Sequence, residues 1–387
     1  MARVLVAMSG GVDSAVAAAL LLDQGHEVTG VHLKLADLPL DEQVPGHGCC
    51  TLDDAQDARR AAQVLGIPYY VWDLSEVFER EVQKPFAAGY AAGRTPNPCV
   101  TCNERVKYAA LLDRALGLGF DALATGHHAR LRRHGAPVVG PGPGVELHRA
   151  VDGAKDQSYV LYVATPQQLA HTLLPVGELT KAQVRAVAAQ RGLRVADKPD
   201  SYDVCFIPDG DTAGYLADRL PADPGPIVDQ DGEVLGTHDG VWRFTVGQRR
   251  GLGLDHHQRR FVTAVDAPSR TVRVGPREDL ACRWAEVEQA SWTRGDVPTG
   301  PVRVQIRAHG HSVPGRLWTG VSAADRDAPG DERVRVELDE PVHGLALGQA
   351  AVLYTPDDLV CLGGGRVIAA ERPAGLPLAS ATRRQRA

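Results

Sequence analysis

Four short segments carry residue types with chemistry in them. Met8-Ser9-Gly10-Gly11-Val12-Asp13-Ser14 follows a β-branched run and opens an Ala/Leu-rich stretch. A Gly-Gly turn between strand and helix lets backbone N–H groups close on a phosphate, and the helix N-terminus adds partial positive charge. The segment lacks the Walker A lysine and is not Gly-x-Gly-x-x-Gly, so neither the ordinary P-loop nor the dinucleotide fingerprint fits. Cys99 and Cys102 sit in the proline-punctuated run Thr95-Pro96-Asn97-Pro98-Cys99-Val100-Thr101-Cys102-Asn103. That run leads into a helix predicted from Glu104, with Asn103 or Thr101 as cap, and a helix N-terminus enriches the thiolate of Cys102. A third thiol, Cys205, lies in the turn-like segment 200–207. Together Cys99, Cys102 and Cys205 are either a nucleophile set or three ligands for an iron–sulfur cluster such as [4Fe-4S], or for zinc. His127 and His128 follow Thr125-Gly126 at a strand end, the rim where open α/β sheets bind ligands.

The elements that must position these residues are legible in outline. Strands are predicted over 3–8, 27–34, 68–73 and 121–125, alternating with helices over 14–24, 53–65, 75–88 and 104–116. This is the pattern of a doubly wound α/β domain with a parallel sheet. A loop is predicted over 135–144, and a capping box at Thr180 and Gln183 opens a helix to about Gln190. Prolines and glycines crowd 220–226, after which short alternating runs replace the helical ones. The expected division is a catalytic domain over 1–210, a β-rich central module over 211–275, a C-terminal β-barrel over 276–372 and a mobile tail over 373–387.

At 387 residues, with 44% hydrophobic and 23% charged residues, the chain is an ordinary globular protein of two or three domains. No apolar run is long enough to span a membrane, and the seven cysteines argue for thiol or metal chemistry over a disulfide framework, so a cytoplasmic location is expected. Cys49 and Cys50 read as structural, Cys282 and Cys361 as small hydrophobes. The net charge of −6 requires any nucleic-acid surface to be a local patch. Such a patch exists: between Trp242 and Arg283, nine arginines face four acids.

The glycine loop matches the Ser-Gly-Gly-x-Asp-Ser PP-loop of ATP pyrophosphatases, which cleave ATP between its α and β phosphates and adenylate an oxygen. Taken with Gly93-Arg94-Thr95-Pro96-Asn97-Pro98, Ala124-Thr125-Gly126-His127, Lys155-Asp156-Gln157, the Cys205 segment, Gly247-Gln248-Arg249-Arg250-Gly251 and Cys361-Leu362-Gly363-Gly364-Gly365, the chain resembles the bacterial tRNA-specific 2-thiouridylases from residue 3 to about 370. The resemblance implies ATP and Mg²⁺ as cofactors, and tRNAs for Lys, Glu and Gln as substrates thiolated at the wobble uridine. It further implies a cysteine desulfurase or sulfur-relay protein as donor, and no membrane partner. ATP would be bound by Ala7, Met8, Ser9, Gly10, Gly11, Val12, Asp13, Ser14, Leu33 and Gly126. The tRNA would be bound by His127, Lys155, Asp156, Gln157, Gln248, Arg249, Arg250, Arg307 and Gln349. Cys205 would carry a persulfide and Cys102 would act as the second thiol, the two closing a disulfide after transfer. The family pattern has an aspartate where Cys99 stands and an aromatic residue where Ala308 stands. Two other readings are a PP-loop ligase or amidotransferase acting on a small carboxylate, and a non-catalytic RNA-binding metal-site protein.

Overall fold

The computed structural model describes residues 1–36, 52–135, 139–140, 144–200, 204–207, 209–254, 259–319 and 334–371. Cys49, Cys50, residues 201–203 of the segment before Cys205 and the tail over 373–387 lie outside them.

The N-terminal sheet is built on β1 (Arg3–Ala7), β2 (Glu27–Lys34), β3 (Tyr69–Asp73) and β4 (Ala122–Ala124), in the order β3-β2-β1-β4 and completed by Thr172–Leu173. All pairings are parallel, with Val4 opposite both Val28 and Ala122. Val4, Leu5 and Val6 of β1 are fully buried, Leu5 packing into one core cluster and Val4 and Val6 into another. A strand covered on both faces reads as a continuous apolar run, and the doubly wound layers follow from that. The helix α1 (Val12–Asp23) leaves β1 through the Gly-Gly turn.

The predicted helix over 104–116 begins earlier. Helical backbone runs from Pro98 to Gly117, wound at the wider π pitch from Cys102 to Leu112. Pro98 is pre-set for a first helical position, and Asn97 accepts hydrogen bonds from the N–H groups of Cys99 (3.0 Å) and Val100 (3.4 Å), so Asn97 is the cap.

The central module is a sheet of four strands in which Gly225–Val228 lies between Val234–His238 and Thr271–Gly275, with Phe261–Asp266 outermost. The C-terminal part is a closed barrel. Ala281–Trp292, Val334–His343, Val313–Thr319, Pro301–Gln305, Ala350–Tyr354 and Val360–Ala370 pair in that order, and the last returns to the first. Its interior holds Val287, Val302, Val304, Val336 and Val367. One feature was not foreseen: Ala129–Arg133 and Val145–Arg149 form a hairpin that pairs with Val360–Ala370, so the N-terminal region adds two strands to the outside of the barrel sheet.

Candidate functional site

Where α1 starts, Gly11 occupies the cap position and has no side chain to satisfy the first-turn N–H groups. Gly10 has φ +81°, a left-handed conformation suited to glycine, and its Cβ position is filled by the backbone of Asp54. Lys198 ties this turn to the following helix, reaching the Gly10 carbonyl (3.1 Å) and the carboxylates of Asp54 and Asp57 (2.7 Å each). Inside the loop, Ser14 Oγ donates to Gly11 O (3.0 Å) and accepts from the Ser9 N–H (3.2 Å). Gly126 at the end of β4 approaches so closely that a Cβ there would lie 2.6 Å from Ser14 N. The turn is thus held from several sides, and its residues line a cavity of about 650 Å³.

Ala7, Met8, Ser9, Gly11, Val12, Asp13, Ser14, Leu33 and Gly126 all line this cavity. Gly10 does not; it shapes the turn from behind, against Asp54. Cys99, Cys102 and Cys205 open into the same space, as do His127, Lys155, Asp156, Gln157, Arg307 and Gln349. Gln248, Arg249 and Arg250 do not reach it. Gln248 closes its own turn, accepting from Thr245 N–H (3.0 Å) and donating to Arg250 O (3.0 Å), while both arginines stay exposed. That turn nevertheless abuts the cavity rim, because Gly247 packs on Arg307.

The cysteine-bearing loop is held by all three parts of the chain. Thr95 N–H donates to Leu347 O of the barrel (2.7 Å), its hydroxyl meets Thr245 of the central module (3.4 Å), and Gly93 lies against Val265. Cys205 is presented differently: its neighbour Phe206 packs edge-on against Phe78 and Phe86 and tilted against Tyr215, with ring centroids 5.2–5.6 Å away. Among the described residues no group of three or more His, Cys, Asp or Glu side chains is arranged to hold a metal ion, so the iron–sulfur ligand set is not gathered. Cys282 and Cys361 are buried elsewhere, and burial pushes the Cys361 thiol up to about 12.

Several residues that sequence reasoning missed organise the electrostatics. Burial works to raise the Asp13 pKa, but hydrogen bonds from His128 (3.0 Å) and Lys181 (2.7 and 2.9 Å) outweigh it and hold the carboxyl below its ordinary value. Lys181 also reaches Asp200 (2.8 Å), which pairs with Lys155 (2.7 Å) and Arg185 (3.2 Å). Burial, aided by the charges of Lys107 and His128, drives His127 well below the usual imidazole range, so it is neutral. The Lys107 ammonium therefore donates to His127 Nε2 (3.2 Å), which leaves Nδ1–H to donate to Thr125 Oγ1 (2.7 Å). The π-wound helix brings Cys102 and Lys107, five residues apart, to one cavity-lining face.

Several of the expected tRNA contacts already make internal hydrogen bonds or ion pairs. The Asp156 carboxylate accepts from Arg149 (2.7 Å), Ala150 N–H (3.0 Å) and both the N–H and hydroxyl of Ser158 (3.2 and 2.8 Å), while Arg149 stacks on Tyr354. Gln349 accepts from Ala346 N–H (3.1 Å). Arg307 is anchored by Nη2 to Gly344 O (3.0 Å).

Comparison with known proteins covers the whole architecture. Families described as "tRNA methyl transferase HUP domain", "tRNA methyl transferase PRC-barrel domain" and "Aminomethyltransferase beta-barrel domain" match residues 2–209, 213–276 and 283–367. The tRNA-specific 2-thiouridylase MnmA of Thermobifida fusca is 53% identical, over 92% of this chain and 93% of its own length. Those of Acidothermus cellulolyticus and Kineococcus radiotolerans are 53% and 55% identical, over 96% and 91% of this chain and 99% and 95% of theirs. A solved 4-thiouridine synthetase–RNA complex with bound ATP is similar over 54% of this chain and 45% of that one, at 18% identity and a TM-score of 0.34. A nucleotide-type loop sharing one cavity with thiols defines an ATP-using sulfurtransferase. The chain belongs to the tRNA-specific 2-thiouridylase family.

Proposed function

We propose that the protein thiolates the wobble uridine of tRNA at C2, with ATP as the activating substrate and a persulfide on Cys205 as the sulfur source. The observation that carries this reading is the single cavity onto which the glycine loop, both cysteine segments and the barrel residues Arg307 and Gln349 all open.

The uridine C2 carbonyl is a poor electrophile. Attack of its oxygen on the α-phosphorus of ATP expels pyrophosphate and makes AMP the leaving group. The loop N–H groups of α1 bind the departing phosphates, and Leu33 and Leu35 line an apolar wall suited to adenine. Asp13 is a hard oxygen donor at the loop and would hold Mg²⁺, which supplies charge neutralisation of the pyrophosphate. Cys102 thiolate attacks the Sγ of the Cys205 persulfide and releases hydrosulfide. The hydrosulfide then adds to C2 and displaces AMP, leaving 2-thiouridine and a Cys102–Cys205 disulfide that an external thiol reduces. The persulfide itself is supplied by a cysteine desulfurase or a sulfur-relay protein, and tRNAs for Lys, Glu and Gln are the expected substrates. No step runs through an iron–sulfur cluster. No helix among the described residues is long and apolar enough to cross a membrane, and a cytoplasmic site of action suits a tRNA substrate.

The exposed Arg243, Arg249, Arg250, Arg259, Arg270, Arg277 and Arg283 of the basic stretch suit a phosphate backbone, and the turn that carries Arg249 and Arg250 meets the cavity at Arg307 through Gly247. The test is an anaerobic single turnover with unmodified tRNA, ATP, Mg²⁺ and a desulfurase. AMP and thiouridine appearing together, with thiouridine lost in Cys205→Ser, support the reading. AMP release that ignores tRNA and leaves the base without sulfur overturns it in favour of a small-molecule acceptor.

A further inference from the structure

Among the amide and carboxylate side chains that line the cavity, one oxygen meets no donor from the described residues. Asp13, Asp156 and Asp200 are tied to cations. Asn97 accepts from the N–H groups of Cys99 and Val100, Gln157 from that of His128 (2.9 Å) and Gln349 from that of Ala346. Asn103 differs. Its Nδ2 donates to Val160 O (3.0 Å), and because only the NH2 end of an amide can meet a carbonyl, this bond fixes which way the side chain is turned. Oδ1 is thereby left buried and without a hydrogen-bond partner, in a residue 1% exposed. A buried acceptor lacking a donor costs about 1–3 kcal/mol, and native structures rarely leave one.

Its place in the chain says what the donor is for. Asn103 directly follows Cys102 and stands four positions after Cys99 on the same helical run, and all three line the cavity. The unmet oxygen therefore belongs to the thiol end of the cavity, where C2 of the base must come to receive sulfur. The neighbour of C2 on the pairing edge of the base is N3. Uridine carries a hydrogen there, whereas cytidine has a lone pair beside the same C2 carbonyl. Thiols alone do not tell these two pyrimidines apart, but an acceptor next to them does.

We propose that Asn103 is the residue that selects uridine: its Oδ1 accepts the N3–H of the target base as the base seats against the wall formed by Asn103 and Cys102. Cytidine brings its own lone pair to that oxygen and leaves both unpaired, and a site built around a donor rejects an analogue that lacks it. Oδ1 is sealed from solvent, so the base seats by parting the side chains over it, and no water then competes for the bond. The proposal rests on the thiolation reading above and adds the means by which its site chooses the base.

The test is anaerobic single turnover by the full-length protein, in excess over two tRNA transcripts that differ only in uridine or cytidine at the wobble position, following tRNA-dependent AMP release. Wild type should release AMP about tenfold faster or more with the uridine transcript. Loss of the acceptor in Asn103→Leu predicts a uridine rate lower by about ten- to a hundredfold and a cytidine rate that does not fall, so that the preference collapses. Wild type that treats both transcripts alike overturns the proposal. So do two unchanged rates in Asn103→Leu, or two rates lowered equally, which marks a purely structural role. An AMP affinity that falls in titration calorimetry while the uridine preference stays also overturns it, and gives the acceptor to the adenine amine. Should Asn103→Leu fail to fold, Asn103→Ala is read on the same transcripts. Wild type that releases no AMP with either transcript removes the thiolation reading itself, an outcome distinct from a preference that survives the loss of Asn103.

Discussion

The two thiol-bearing segments reach the same cavity by opposite means. Cys102 rides on a helix whose start is capped by Asn97 and whose preceding loop is bonded to the barrel and packed on the central module. Cys205 is flanked by tethers of another kind: the Phe206 side chain sits in an aromatic cluster, and Asp200, five positions upstream, sits in a cluster of cations. In the proposed reaction the thiol that takes up sulfur from a donor is the one held by side-chain tethers, and the thiol that frees the hydrosulfide from it is the one with a fixed address.

The sharpest break of this comparison comes from the thiols themselves. Both Cys102→Ser and Cys205→Ser are expected to reduce thiouridine below detection by mass spectrometry, but only Cys205→Ser should lose radiolabelled sulfur loaded by a desulfurase. Loading that persists in Cys205→Ser would reverse the two roles. Next in size, Phe206→Ala removes a side chain 3% exposed and should cost about 3–5 kcal/mol of local packing. Faster alkylation of Cys205, with no change at Cys102, is the readout. Asn97→Ala should cost about 1 kcal/mol through loss of the cap, measurable as a lower urea midpoint with AMP release largely retained. The smallest effect concerns pH. Burial works to raise the Asp200 carboxyl, but Lys155 and Lys181 bring it down to about 2 from an ordinary 3.8. A carboxyl lowered by folding adds stability that is complete above its unfolded value and fades as pH falls toward the folded one. Urea midpoints of wild type and Asp200→Asn should therefore differ at pH 6 and converge between about pH 4 and 2.

The parallel sheet was legible because β1 and β2 are long apolar runs and the glycine turn interrupts them where it must. The cysteine helix was misplaced at its start because a proline-rich run reads as loop, although Asn97-Pro98 is a cap followed by a favoured first residue. The hairpin of Ala129–Arg133 and Val145–Arg149 went unseen because its first strand, Ala-Arg-Leu-Arg-Arg, is too basic to announce burial; its partner strands are far along the chain. Of the site, the loop and the three cysteines could be read from residue type and motif. Lys107 and Lys181 could not, since a lysine declares its role only once Nζ has neighbours. Asp156 and Gln349 show the converse: cavity-lining polar residues can be spent on backbone and arginine partners.

That hairpin also sets the order of events during synthesis. His148 pairs with Val360, roughly two hundred positions later, so the barrel-facing edge of the hairpin waits until that late strand has been made. Until then Val145–Arg149 is paired on one side only, with Ala129–Arg133, and its other edge is open. A chain that stopped short of Val360 would leave that edge of the hairpin uncovered, so the N-terminal region is finished only by the strand that also closes the barrel.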